Sequence, residues 1–255
     1  MKATKRLVRI LLIAAFWIGI WALVAWGVGK PALFPSPASV AVRLCELVCT
    51  PAFYLVTLTS LYNVLLGILL AIFFACLTAI LTSHVKSIRE LIQPLMAVIK
   101  ATPVASFIVL ALIWMGSARV PSFITFLIVV PVLWTNLDEG FFRIDPKLQE
   151  VVRVYRLPLF TRWKMLILPS LRPYFVSACR TSLGLAWKAG IAAEIIAMPR
   201  NTIGTMIGDA KQYIDTESMF AWTLTVILLS LLIEFVFSAL FKKMERNTRK
   251  KEVAA

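Results

Sequence analysis

Few side chains in this sequence carry the means to do chemistry. His84 is the only histidine, and Cys45, Cys49, Cys76 and Cys179 show no CxxC spacing. That argues against a zinc site and against histidine-based catalysis. Cys76 and Cys179 fall in apolar blocks, where a thiol packs as a small hydrophobe. Cys45 and Cys49 stand four apart on an expected helix, a poor geometry for a disulfide. What remains is a set of ionisable residues inside apolar stretches: Lys100, Arg180, Lys188, Glu194 and Glu234. Each is costly in hydrocarbon and so faces protein or water. Arg180 lies close enough to one end of its stretch to snorkel. Lys188 lies mid-stretch and does not. It either lines a wet cavity, which it would make attractive to anions, or pairs permanently with a carboxylate such as Glu194 or Glu234. Lys188 and Glu194 are about 240° apart around a helix, so they do not pair within it.

The elements that must hold these residues follow from composition. The 255 residues include 27 Lys and Arg against 13 Asp and Glu, a net charge of +14, and 60% are hydrophobic while 16% are charged. Soluble domains hold roughly 45–50% and about 25%. The apolar residues come in long blocks separated by short basic segments, the layout of a multi-spanning membrane protein. Six spans of near 20 residues are expected, at residues 7–28, 54–83, 93–115, 121–137, 174–197 and 219–241. The first is too long for a signal-peptide core and is read as a retained span. With the N-terminus inside, Lys and Arg divide 19 to 5 between the two sides, which places both termini in the cytoplasm. The same asymmetry accounts for the charge without nucleic acid, for which no basic stripe with interleaved aromatics remains.

Three segments interrupt this pattern. Pro103 removes a backbone donor and disfavours helix at Thr102, so the third span is kinked or interrupted there. Residues 31–51 form an extracytoplasmic segment. In it Ser36 should cap a short helix with Pro37 at its first position, Val40, Leu44, Leu47 and Val48 on one face, and Arg43 and Glu46 facing away, along the membrane surface. Residues 138–172 form a charged cytoplasmic loop too long for a mere connection. Asp145 and Pro146 should start a helix that Pro158 ends near Arg156, with Leu148, Val151, Val152 and Tyr155 as an apolar stripe. A second short helix should carry Phe160, Trp163 and Ile167 on one face and stop at Pro169. This pair either docks in a groove of a soluble partner or rests on its own bundle. A basic tail follows at 242–255.

The segment from Glu150 to Pro169 resembles the cytoplasmic loop signature of permease subunits of bacterial ATP-binding-cassette importers. That signature has Glu-Ala-Ala, a Gly six residues after the Glu, and later an apolar residue, a spacer and Leu-Pro. Glu150, Leu166, Leu168 and Pro169 match it, while Val151 and Val152 replace the alanines and Arg156 the glycine. Leu33-Phe34-Pro35-Ser36-Pro37, Ala111-Leu112-Ile113-Trp114-Met115-Gly116 after Pro103, and Leu183-Gly184-Leu185-Ala186-Trp187 before Ala193-Glu194 resemble, in order, segments of the nitrate, sulfonate and taurine importer permeases.

The resemblance implies an all-α polytopic bundle of six transmembrane helices, forming one permease domain over residues 1–255 in the bacterial inner membrane. It implies a second copy of the chain, two cytoplasmic ATP-binding subunits and an extracytoplasmic substrate-binding protein. ATP and Mg then belong to the partner ATPase, since no GxxxxGK[ST] phosphate loop occurs here. Glu150, Val151, Val152, Arg156, Leu166, Leu168 and Pro169 become the ATPase-coupling loop, and Thr102, Pro103, Thr181, Lys188 and Glu194 the candidates to line a translocation pathway. The expected cargo is a small polar anion such as a sulfonate, taurine or nitrate, with a neutral or cationic pyrimidine-type nutrient as the alternative. A membrane enzyme would need clustered Asp or His, which the spans lack. A secondary carrier would show repeated halves, and none is visible.

Overall fold

Prolines and short polar residues set where the helices begin. The computed structural model describes residues 2–253, with side chains for 8, 9 and 11–239; the side chains of the basic tail lie outside the described residues. Helix α1 spans Lys2–Val28, α2 Pro37–Val48, α3 Pro51–His84, α4 Lys86–Ala101, α5 Val104–Met115 and α6 Val120–Phe142. Ser36 caps α2 as expected, its hydroxyl accepting from the Ser39 N–H at 3.2 Å, with Pro37 in the first turn, where a missing N–H costs nothing. No strand occurs among the described residues.

Helices α3 and α6 form the centre with α9 (Leu168–Ala197). On α3 the buried Gly67, Ala71, Ala75 and Ala79 recur every fourth residue, a small-residue seam that lets helices approach closely in a bilayer. The approach is tight enough that a Cβ on Gly67 would lie 2.5 Å from the Ser122 carbonyl oxygen, and one on Gly190 2.6 Å from Val64 Cγ2. Helix α5 packs Ile108 and Ala111 among Ile124 of α6 and Ala189, Ala193 and Ala197 of α9.

Helices α10 (Ile203–Gln212) and α11 (Thr216–Val253) complete the bundle. Helix α2 lies against α11 rather than along a free surface. Val40 is fully buried and Leu47 packs on the core. Arg43, expected to face away, instead donates to Ser218 Oγ at 2.8 Å and to Glu46 at 2.9 Å, with Asp215 at 3.8 Å. A guanidinium with five donors is better satisfied in that clasp than by water alone. Helix α1 is peripheral. It is tied through Trp21, which donates to the Pro35 carbonyl at 3.0 Å and stacks on Phe220.

Among the described residues, four helices are long and apolar enough to cross a membrane: α1, α3, α6 and α11 through Ala239. The third span is broken where Pro103 was expected to kink or interrupt it. Helices α4 and α5 meet at an angle of 104°, so residues 93–115 are a broken pair, which counts as a fifth crossing only if taken as one span. Thr102 is extended (ψ 133°) because Pro103 follows it, and its hydroxyl returns to the Val98 carbonyl at 2.8 Å. Helix α9 is long enough at 30 residues but carries Arg172, Arg180, Lys188 and Glu194, and it falls outside that count.

Candidate functional site

The loop after α6 is built by two caps. Helix α7 (Pro146–Val154) opens on Asp145, whose carboxylate accepts from the Lys147 N–H at 2.8 Å. It closes with a paired cap in which the Leu157 N–H bonds the Val152 carbonyl and the Arg156 N–H bonds that of Arg153, both at 3.2 Å. This cap requires its central residue in the left-handed region, and Arg156 sits there at φ +47°. The glycine of the importer signature thus has a physical explanation, and Arg156 adopts the same conformation despite its side chain.

The second part differs from expectation. Helix α8 (Leu159–Arg162) passes through a π-turn at Trp163–Ile167 directly into α9, and Pro169 lies in the first turn of α9 instead of stopping a helix. The Leu168 N–H bonds the Trp163 carbonyl, five residues back, and this wider turn makes room for a proline with no N–H to place. Leu166 and Ile167 are buried with Ile144, and Val152 and Trp163 pack on them. Phe160, expected beside Trp163, is instead 79% exposed. Along the same loop Val151, Val154, Tyr155, Leu159 and Met165 are also uncovered, as is Leu168. Only Val152 of the expected α7 stripe turns inward, so most of that face does not rest on its own bundle. Glu150 is exposed and has no hydrogen-bond or ion-pair partner among the described residues.

The pathway candidates separate into two groups. Thr181 and Lys188, seven residues apart, share one exposed face of α9 together with Ser177. Lys188 forms no ion pair with Glu194, Glu234 or any other described carboxylate. Glu234 instead lies against Gly184, where an added Cβ would be 3.5 Å from its Oε1. Glu194 points the other way and is 0% exposed. It accepts from Ser60 at 2.7 Å and from the Gly204 N–H at 3.1 Å, while Ser60 accepts from the Ile203 N–H at 2.8 Å. Its carboxylate therefore caps the start of α10 and ties α3 to α9, where a negative group is favoured. The break at Thr102 and Pro103 is partly open at the junction of α4 and α5.

A second polar centre escaped the sequence reading. Arg89 of α4 grips Asp138 of α6 through Nε at 3.1 Å and Nη2 at 2.9 Å, and its guanidinium lies 3.8 Å over the Phe142 ring. Thr82 donates to the other Asp138 oxygen at 3.4 Å. The available signal was an aspartate at the end of an apolar run and the i, i+4, i+11 recurrence of Arg89, Gln93 and Lys100.

A helical bundle with several crossing-length helices among the described residues defines a multi-pass membrane protein. The chain belongs to the family of binding-protein-dependent transport system inner membrane components, which its residues 52–250 match. It is thus an importer permease subunit, a transport component of the inner membrane whose family implies association with ATP-binding and substrate-binding subunits. It is similar to the aliphatic sulfonates transport permease protein SsuC of Bacillus subtilis, at 26% identity over 83% of this chain and 77% of that one. It is also similar to the riboflavin transport system permease protein RibX of Chloroflexus aurantiacus, at 32% identity over 85% and 81%. Among solved structures, an amino acid ATP-binding-cassette transporter shares the fold, with a TM-score of 0.63 and 16% identity, over 80% of this chain and 97% of that one.

Proposed function

We propose that two copies of this chain form the translocation pathway for a small organic or inorganic anion, driven by two ATPase subunits that grip the α7–α8 loop. The observation that supports the coupling half is the uncovered apolar patch around Tyr155 and Phe160, beside an unpartnered Glu150. Glu150 then accepts a charge-assisted hydrogen bond from the ATPase. Leu166 anchors the loop to the bundle while Val151 and Leu168 enter the contact. Closure of the ATPase pair displaces the loop, and the bundles rock between inward-open and outward-open states as rigid bodies. In this arrangement α9 crosses the membrane, making six spans with the broken pair counted as one, and both termini lie in the cytoplasm.

The substrate half is supported by Lys188. An ammonium near mid-span without a counter-charge among the described residues is tolerated where water or an anion meets it. Paired across two protomers, the Thr181–Lys188 faces make a cationic lining. Glu194, closed within its own bundle, holds α9 in place for this role. The riboflavin relative favours a second reading, import of a pyrimidine-type heterocyclic nutrient, for which Lys188 would be a structural residue. One reconstitution of the complete complex with its binding protein tests both halves. Glu150→Lys should insert normally yet lose stimulated ATP hydrolysis. Lys188→Met should slow uptake of an alkanesulfonate at least tenfold with hydrolysis intact. Unchanged sulfonate uptake in the second variant removes the anion reading.

A further inference from the structure

Helix α4 is amphipathic in the reverse of the usual sense. Leu91, Leu95 and Val98 lie on one face and are exposed at 76%, 55% and 60%, whereas Arg89, Gln93 and Lys100 turn toward α6. A helix that shows one apolar face and turns a polar one, with Gln93 and Lys100 still exposed, to a groove suits a position between lipid and a wet interior. Between α4 and α6 lies a cavity of about 430 Å³, lined by these polar residues together with Met96, Trp134 and Thr135. That volume falls in the range of small-molecule sites, roughly 300–1,000 Å³. The cavity stands at the end of the bundle that carries the α7–α8 loop, since α6 runs past Asp138 directly into that loop.

Arg89 and Lys100 line it together with two carboxylates, Asp138 and Glu139, and both carboxylates are already engaged. Asp138 is taken by Arg89, and Glu139 is held by Arg143 at 2.7 Å. Lys100 meets only the Thr135 hydroxyl at 2.7 Å, and that hydroxyl gives its own proton to the Pro131 carbonyl, also at 2.7 Å. The ammonium therefore has a neutral acceptor and no counter-ion among the described residues. Beside it the exposed Gln93 amide carries two further donors with no acceptor among the described residues. One uncompensated cation, one free amide and walls of Trp134, Met96 and Ala97 are the features of a site for a single anionic head on a small apolar body.

We propose that the α4–α6 cavity binds an oxyanion head group, with Lys100 as its counter-charge and Gln93 as a second donor. The head belongs either to a soluble organic acid such as an alkanesulfonate or to an acidic lipid of the adjoining leaflet; the chemistry at Lys100 is the same. The site is separate from the Lys188 face of α9 and does not depend on the transport reading.

The test is calorimetric titration of the complete transporter in phosphatidylcholine nanodiscs, without ATP or binding protein, using 1-butanesulfonate with butylammonium as control. The wild type should bind the sulfonate and ignore the amine. Binding should weaken at least tenfold in Lys100→Met, weaken at least threefold in Gln93→Leu, and be retained in Lys100→Arg. In discs containing phosphatidylglycerol, lowered sulfonate affinity in the wild type alone identifies the occupant as a lipid head. Unaltered affinity there identifies a soluble one. The proposal is overturned if Lys100→Met binds as the wild type does, if the amine binds equally, or if neither sulfonate nor phosphatidylglycerol shows dependence on Lys100. Loss confined to Lys188→Met also overturns it, placing the ligand at the other site.

Discussion

At Arg156 two effects of similar size oppose each other. Holding an L-residue other than glycine in the left-handed region costs roughly 1–2 kcal/mol. A cation just past a helix C-terminus regains about 0.3–1 kcal/mol from the dipole. The conformational cost is the larger, and Arg153 keeps a positive charge in the last turn of α7 if Arg156 is lost. Arg156→Gly should therefore tighten the cap by about 0.7 kcal/mol, which slows hydrogen exchange of the Leu157 amide about threefold. No change in that amide would mean the residue is not strained in solution. The same variant restores the signature glycine, so its effect on ATPase coupling separates a tighter loop from any contact the guanidinium makes.

Among the elements, α2 and α11 are joined by charges near one end of the bundle, and that junction should respond to acid. Burial pushes the Asp215 carboxyl up, but hydrogen bonds from the Ser218 hydroxyl and N–H and the charge of Arg43 outweigh it and hold the group below its usual value. A carboxyl depressed in the folded state contributes stability above its unfolded value near pH 4, and loses it as pH falls through the lower folded value. The wild type should accordingly lose thermal stability below about pH 4 by an increment that Asp215→Asn, which does not titrate, lacks. The carboxylate is 41% exposed, so solvent screening keeps that increment small. Identical melting profiles from pH 7 to 3 would show that the clasp adds nothing.

Across the whole molecule, the matched family region begins at residue 52, after α1 and α2, and of these α1 is held to the bundle by few side chains. The 18-residue apolar window of α1 has no buried residue, while that of α6 is 61% buried. An apolar helix left so open needs lipid or a second chain around it. The proposed orientation is tested by cysteine labelling from outside intact cells. A cysteine introduced near Lys211 should react and one near Lys250 should not. The opposite pattern inverts the topology.

Chain chemistry alone determined whatever depends on neighbours in sequence. Ser36 with Pro37 and Asp145 with Pro146 were legible as helix starts because a cap needs only its own next few residues. The apolar blocks and the Lys and Arg asymmetry were legible because transfer into hydrocarbon is summed along one segment. Tertiary structure alone decided what depends on chains far apart. Thr102 and Pro103 marked a break, but its 104° angle comes from α5 packing into the small-residue face of α9. Pro169 read as a stop became part of a continuous helix, because a π-turn anchored by buried Leu166 and Ile167 makes room for it. Glu194 and Lys188 looked alike in the sequence. Only packing against Ser60 and Gly204 made one a buried cap, while the other was left facing outward with its charge unmet. A buried polar group is settled by the donors that reach it, and one of these, Ser60, comes from a helix more than a hundred residues away.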